Sequence, residues 1–303
     1  MMPILLECMF LGVFALALAV VRRRCAGRAL NYVLPLSVLL LTACGNANPD
    51  SAENADNLLG KADSMYQAGR YSSAKILIDS IDRVCRHQVA QRKQARVLLD
   101  RIKIKEETRN AQYLDSLIVL LEPEVESLMK QFVLSKDTDY VKEKIYTHRK
   151  QTVGYYPHTN LIARIHENGD LDLISVFTGY KLNHSQVEVR ANDLFVTTGV
   201  LPVGKSGNYQ FDDEGVRWEY LTFTPDTENG VMAFIASVDD KERLRVVLNG
   251  DKKHNYWLEP NDKVALRESY VFAGKLKELY TMKKQSRNAK EKVERLNQKL
   301  SGL

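Results

Sequence analysis

The apolar residues change period twice along this chain, and that change limits the fold more than any motif. From about residue 145 to 258 they alternate one in and one out, while on both sides they recur every three or four residues. Two Asn-Gly pairs, Asn168-Gly169 and Asn249-Gly250, fall inside the alternating block, where a tight turn needs the positive φ these residues tolerate. Leu161–Ile165 and Leu171–Thr178 flank the first pair and make a hairpin. Further strands are expected at Leu194–Thr198, Val216–Thr224, Val231–Val238, Leu244–Leu248 and His254–Leu258. Seven or more short strands with turns between them suggest an antiparallel sandwich, and no helix of useful length fits between them, so a parallel α/β sheet is disfavoured.

The flanks read as helices. Residues 57–140 form a helical segment, in which Leu58, Ala62 and Met65 make one stripe, Gly69-Arg70 breaks it, and Tyr71, Ala74, Ile78 and Ile81 resume it. Two further stretches, 87–109 and 110–135, come next, and Pro123 is expected to kink or restart the second. A long helix over 262–301 closes the chain, with Asn261 and Asp262 as expected caps. Ala289, Val293, Leu296 and Leu300 repeat at four, three and four, a coiled-coil seam whose partner is either the early helices or a second copy. The expected class is therefore α+β: N-terminal helical hairpins and a C-terminal long helix around an antiparallel β-sandwich-like domain over 145–258.

Targeting is the most informative part of the sequence. Arg22-Arg23-Arg24 and Arg28 precede an apolar run from Ala29 to Ala43, and small residues lead up to Cys44. This is the layout of an export signal, with positive charge held at the cytoplasmic side. Leu41-Thr42-Ala43-Cys44 resembles the lipobox of bacterial lipoproteins. That resemblance implies cleavage between Ala43 and Cys44 and acylation of the Cys44 thiol. Multiple acyl chains give stable membrane anchoring, at about 0.8 kcal/mol per buried methylene. Residues 1–43 are then leader, and 44–56 a polar tether. Residues 3–21 form another apolar run, interrupted by Glu7; we read it as lying upstream of a true start near Val20 or Val21.

The net charge of +5 suggests nucleic acid, but the distribution does not support it. Four arginines and one glutamate precede Cys44, leaving 39 basic against 37 acidic residues, interspersed. A phosphate-binding face would concentrate its cations. Cys8 and Cys25 lie in the leader and Cys44 is taken by lipid, so Cys85 is the one thiol left and is read as a core residue. Cys85-Arg86-His87 lacks the other ligands of a zinc site.

Ala62, Gly69, Tyr71, Ala74, Ile78 and Ile81 fit the pattern of a tetratricopeptide unit, and the stretch resembles one repeat of that family. One period on, Lys103 and Lys105 break the pattern, and a stacking array needs roughly three repeats. The expectation is an isolated hairpin. Asp50-Ser51-Ala52, Asp63-Ser64-Met65, Asp79-Ser80-Ile81 and Asp115-Ser116-Leu117 resemble the O-glycosylation acceptor of exported Bacteroides-group proteins. With the lipobox and the layout, they make the chain similar to lipoproteins of that group, a resemblance that transfers location and no activity.

Gly199-Val200-Leu201-Pro202-Val203-Gly204-Lys205-Ser206 satisfies the phosphate-loop pattern, but the residues after Lys205 and Ser206 read as turn and alternation rather than helix, so we reject it. Phe234–Asp239 only faintly resembles a metal-holding strand. Histidines 87, 148, 158, 166, 184 and 254 form no ligand-spaced pair, and no G-x-S-x-G is present. Trp218, Tyr220 and Trp257 lie on or near strands, where such rings pack in the core or stack on a sugar. No catalytic residue, metal or cofactor is expected. The functional expectation is a lipid-anchored cell-envelope protein with a binding or scaffolding role. Its expected partners are the membrane through acylated Cys44, another envelope protein or glycan, and a second copy through the C-terminal helix. A carbohydrate-binding sandwich is the alternative, and an envelope enzyme without a local motif the third.

Overall fold

A computed structural model describes residues 50–136, 144–151 and 158–302. Helix α1 (Ala52–Gln67) starts at Ser51, whose hydroxyl accepts the Asn54 amide at 3.2 Å. It ends in a Schellman turn. The Gly69 amide bonds Tyr66 O (2.9 Å) and the Arg70 amide bonds Met65 O (2.8 Å), with Gly69 at φ +72°. Helix α2 (Tyr71–Val84) returns antiparallel, burying Ala74, Ile78 and Ile81 against Ala55 and Ala62.

Helix α3 runs unbroken from Val89 to Met129, through Pro123. The sequence suggested two helices here, and the reason for the error is physical. Ala95, Leu98 and Ile102 face α1 and α2, whereas Ala111, Leu114, Leu121 and Val125 face elsewhere. Nine residues separate Ile102 from Ala111, about half a turn out of phase at about 100° per residue. The apolar stripe changes sides while the helix continues. The expected helical segment also ends early, because Phe132–Lys136 is strand β1.

Sheet A has the order β1-β2-β3-β4-β8-β7, built from β1, β2 (Lys144–His148), β3 (Asn160–His166), β4 (Leu171–Gly179), β7 (Asn208–Asp213) and β8 (Val216–Phe223). Sheet B has the order β10-β9-β5-β6, from β5 (Gln186–Ala191), β6 (Leu194–Thr197), β9 (Arg245–Asn249) and β10 (Lys253–Trp257). All pairings are antiparallel. Leu161, Leu173, Phe177 and Leu221 of sheet A share one core with Val187, Val189, Val246 and Leu248 of sheet B.

The expected strand at 231–238 is helix α4 (Val231–Ser237). Its buried residues, Val231, Met232 and Ile235, have helical spacing, and the Glu228 carboxylate caps its start by accepting the amides of Gly230 (3.0 Å) and Met232 (2.9 Å). The faint metal-strand pattern at Phe234–Asp239 is lost with it.

Helix α5 (Pro260–Ser301) begins after Glu259 with Pro260 in its first turn, so Asn261 and Asp262 lie inside the helix rather than capping it. Leu266, Phe272 and Leu276 seat it on the β domain. Beyond that it runs back antiparallel along α3. Lys275–Glu124 (3.1 Å), Lys283–Glu122 (2.7 Å), Lys290–Asp115 (2.8 Å) and Lys299–Asp100 (2.6 Å) mark the register. Each lysine belongs to α5 and each acid to α3, so the partner of the seam is α3 of the same chain. The first three, exposed on both sides, are individually worth about 0–1 kcal/mol and act chiefly on register, whereas Asp100 in the fourth is buried. The result is a two-helix stalk about 36 Å long between Asp100 and Glu124, with α1 and α2 packed on the start of α3 and the β domain on its end.

Candidate functional site

The rejected phosphate loop stays a loop. Residues 198–207 lie between β6 and β7, and Lys205 sits in a turn where its amide bonds Pro202 O at 3.1 Å. No helix begins at Lys205 or Ser206, so the row of free helical amides that would hold phosphate is not formed by Gly199 through Gly204.

Sequence spacing does not reveal a polar cluster that is fully buried in the fold. Glu219 of β8 points between the sheets and is fully buried, as are Ser175 of β4 and His184 of the loop joining the sheets. The Glu219 carboxylate accepts Nδ1 of His184 at 2.6 Å, together with the amides of Leu182 (2.8 Å), Asn183 (2.7 Å) and His184 (2.8 Å). On the other side of the ring, Nε2 lies 3.2 Å from Ser175 Oγ. With Nδ1–H donated to the carboxylate, Nε2 is the ring nitrogen that faces the serine hydroxyl. Burial pushes the Glu219 carboxyl up, but the His184 side chain and the three amides together outweigh it and hold the group below the ordinary glutamate value.

Ser175, His184 and Glu219 thus have the connectivity of a serine-hydrolase triad. Their chemistry differs, because none of the three reaches solvent. The amides closest to the array are spent on Glu219 rather than held open for an oxyanion. What the cluster does is pin the 180–185 crossover: Asn208 Nδ2 also donates to His184 O at 3.1 Å and to Leu201 O at 2.7 Å. Nine residues separate Ser175 from His184 and thirty-five separate His184 from Glu219, so no local pattern could have joined them.

Four of the other described histidines are also tied to carboxylates or core rings. His148 Nε2 meets Glu268 at 2.7 Å, His166 meets Asp172 at 2.9 Å, His87 meets Asp50, and His254 packs on Phe177. No group of three or more His, Cys, Asp or Glu side chains able to hold a metal occurs among the described residues. Cys85 is fully buried at the end of α2.

The aromatic candidates divide between two faces. Trp218 and Tyr220 alternate with buried Glu219 and Leu221, so they stand on the outer face of sheet A, partly exposed. Phe211 joins them from β7. The three centroids lie 6.0–6.1 Å apart with interplanar angles of 2–6°. A column would put its third ring twice as far away as its second, so these rings form a laterally spread patch. Tyr209, exposed, extends it. Trp257 lies on the outer face of sheet B, remote from that patch, with the guanidinium carbons of Arg243 and Arg245 at 4.5 and 4.8 Å from its ring.

Several grooves flank the helices. One of about 620 Å³ lies between α1 and α3, lined by Leu59, Gly60, Val97 and Leu98 and rimmed by Asp63 and Arg101. Another, of about 390 Å³, lies where the β3–β4 turn meets α5. Three of the four Asp-Ser triplets fall within helices, where Ser64, Ser80 and Ser116 donate to carbonyls three or four residues back; Ser51 caps α1. Ala43 and Cys44 lie outside the described residues, as does the rest of the leader. Among the described residues no helix is long and apolar enough to cross a membrane. Comparison of the chain with protein-family models, with curated proteins and with solved structures finds no match.

Proposed function

We propose that the chain is a lipid-anchored cell-envelope protein, acylated at Cys44, that binds another envelope protein or glycan through a β domain held away from the membrane. The observation that carries this reading is where the chain enters the fold. Asp50 lies at the start of α3, its carbonyl accepting Gln88 Nε2 at 2.9 Å, at the end of the stalk opposite the β domain. Six residues separate Asp50 from Cys44, a reach of about 20 Å at most. An acyl chain there would keep α1 and α2 beside the bilayer and set the sandwich farther out, beyond the stalk of about 36 Å between Asp100 and Glu124. The sealing of Ser175, His184 and Glu219 supports binding rather than catalysis.

The test is Cys44→Ser followed by palmitate labelling and fractionation. Loss of label and release of the protein from membranes is expected; undiminished label, or a cytosolic product, ends the reading. Pull-down of the intact protein from its native envelope is expected to recover a partner, and substrate turnover with no partner recovered would overturn the binding role. A second reading, carbohydrate binding on the sandwich, is favoured by the lateral patch of Phe211, Trp218 and Tyr220. Under it, Trp218→Ala would weaken retention on a neutral polysaccharide gel without changing the fold, and unchanged retention would remove it.

A further inference from the structure

On the outer face of sheet B, one transverse row of side chains crosses all four strands. Trp257 of β10 is directly opposite Arg245 of β9, Arg245 is opposite Arg190 of β5, and Arg190 is opposite Phe195 of β6. Strands about 4.8 Å apart make the row about 14 Å long. Arg190 leans over Phe195, 4.8 Å from its centroid, and Arg243 joins Arg245 at the Trp257 ring. Both ends of the row are exposed aromatics, Phe195 at 54% and Trp257 at 43%.

Two like charges placed directly opposite each other destabilise a sheet unless something neutralises them. Arg190 is neutralised by Glu188, whose carboxylate it contacts through Nε. Among the described residues Arg243 and Arg245 have no carboxylate in ion-pair reach; the indole alone holds them. A cation–π contact fixes a guanidinium without using its N–H donors. Both forks are therefore positioned and left free to bind an anion bidentately.

We infer that the Arg243–Arg245–Trp257 face of sheet B binds an acidic polysaccharide, carboxylates on these two guanidinium groups and sugar rings against the exposed aromatics that flank them. The site lies on the face of a sheet, where the β5 and β9 backbone groups are consumed in their own ladder. A peptide laid there could not use main-chain hydrogen bonds, its usual source of affinity on a sheet. Nucleic acid would call for many more phosphate contacts than two free arginines supply. An uncharged glycan would leave the unpaired guanidinium groups unanswered. The inference deepens the binding reading by naming the ligand class, and it stands whether or not Cys44 is acylated.

The test uses the full chain in detergent and polygalacturonic acid as the probe, read by titration calorimetry. Wild type is expected to bind the polymer, to bind its methyl-esterified form negligibly, and to lose affinity as salt is raised to about 0.5 M. The double variant R243Q/R245Q is expected to bind roughly tenfold more weakly, and W257A, which frees both guanidinium groups, several-fold more weakly. Far-UV circular dichroism and a thermal melt superimposable on wild type show that the variants are folded. Equal binding by R243Q/R245Q and wild type, equal binding of polyglutamate at matched charge, or no binding by wild type would each overturn the inference. A wild type that ignores the polymer yet still recovers a partner from the envelope would sink this ligand class alone.

Discussion

Replacing Gly169 by alanine should be among the most damaging single-methyl additions this protein can suffer. Gly169 turns β3 into β4 at φ +82°, a region where an L side chain costs about 1–2 kcal/mol. The turn is also wedged against α5. A Cβ built there would lie 2.3 Å from Lys277 N and 2.5 Å from Lys277 Cα, backbone atoms that move only if the helix moves. Overpacking of that kind adds about 1–3 kcal/mol. The two costs together make about 2–5 kcal/mol, or a fall in Tm on the order of 10 °C for a chain of this size. Gly60→Ala is the internal control, since that glycine sits inside α1 with nothing within 4 Å of its Cβ position and should gain about 0.5–1 kcal/mol. Urea unfolding followed by far-UV circular dichroism measures both. A Gly169→Ala protein within about 0.5 kcal/mol of its parent would refute the claim that the turn and α5 are locked together.

Other consequences concern the buried groups. Glu219→Gln should cost about 3–5 kcal/mol at neutral pH, because it leaves the donors of His184 and its neighbours facing a group that must itself donate. Since folding lowers the Glu219 pKa, its stabilisation is complete above the ordinary glutamate value and fades as pH falls through the folded one; acid unfolding of the glutamine variant should be correspondingly shallower, and identical acid limbs would contradict this. A fluorophosphonate should not label Ser175 in the native protein, and a labelled Ser175 peptide would show that the array opens to solvent. Burial, reinforced by the Asp50 charge, raises the Cys85 thiol, so iodoacetamide should modify Cys85 only after denaturation, as read by peptide mass spectrometry.

Local chemistry was legible in the sequence wherever one residue type dictates one geometry. Asn168-Gly169 announced its hairpin, and Gly69 announced the α1–α2 turn, because both positions require a backbone that few other residues accept. The helical hairpin, the alternating domain and the returning helix were readable from the period of their apolar residues. Errors arose where the cause lay outside the local window. The stripe of α3 changes sides because α1 and α2 pack on one flank and α5 on the other, which looks like a break to any reading that assumes one partner per helix. Val231–Ser237 carries β-branched and aromatic residues that suit a strand, yet the Glu228 cap and a buried helical face decide otherwise. Ser175, His184 and Glu219, like the row from Trp257 to Phe195, come together only through strand register, which spacing along the chain does not encode.

The antiparallel pairing of α3 with α5 also dictates an order of assembly. Lys299 meets Asp100 across 199 residues of chain, with the whole β domain threaded between as though it were the loop of one long helical hairpin. Closing such a loop is entropically dear until the intervening domain has folded and brought its two ends together. A nascent chain therefore completes α1, α2 and the first third of α3 early, but carries the second apolar stripe of α3 uncovered until its last residues emerge, which is the interval in which a holdase would have most to protect.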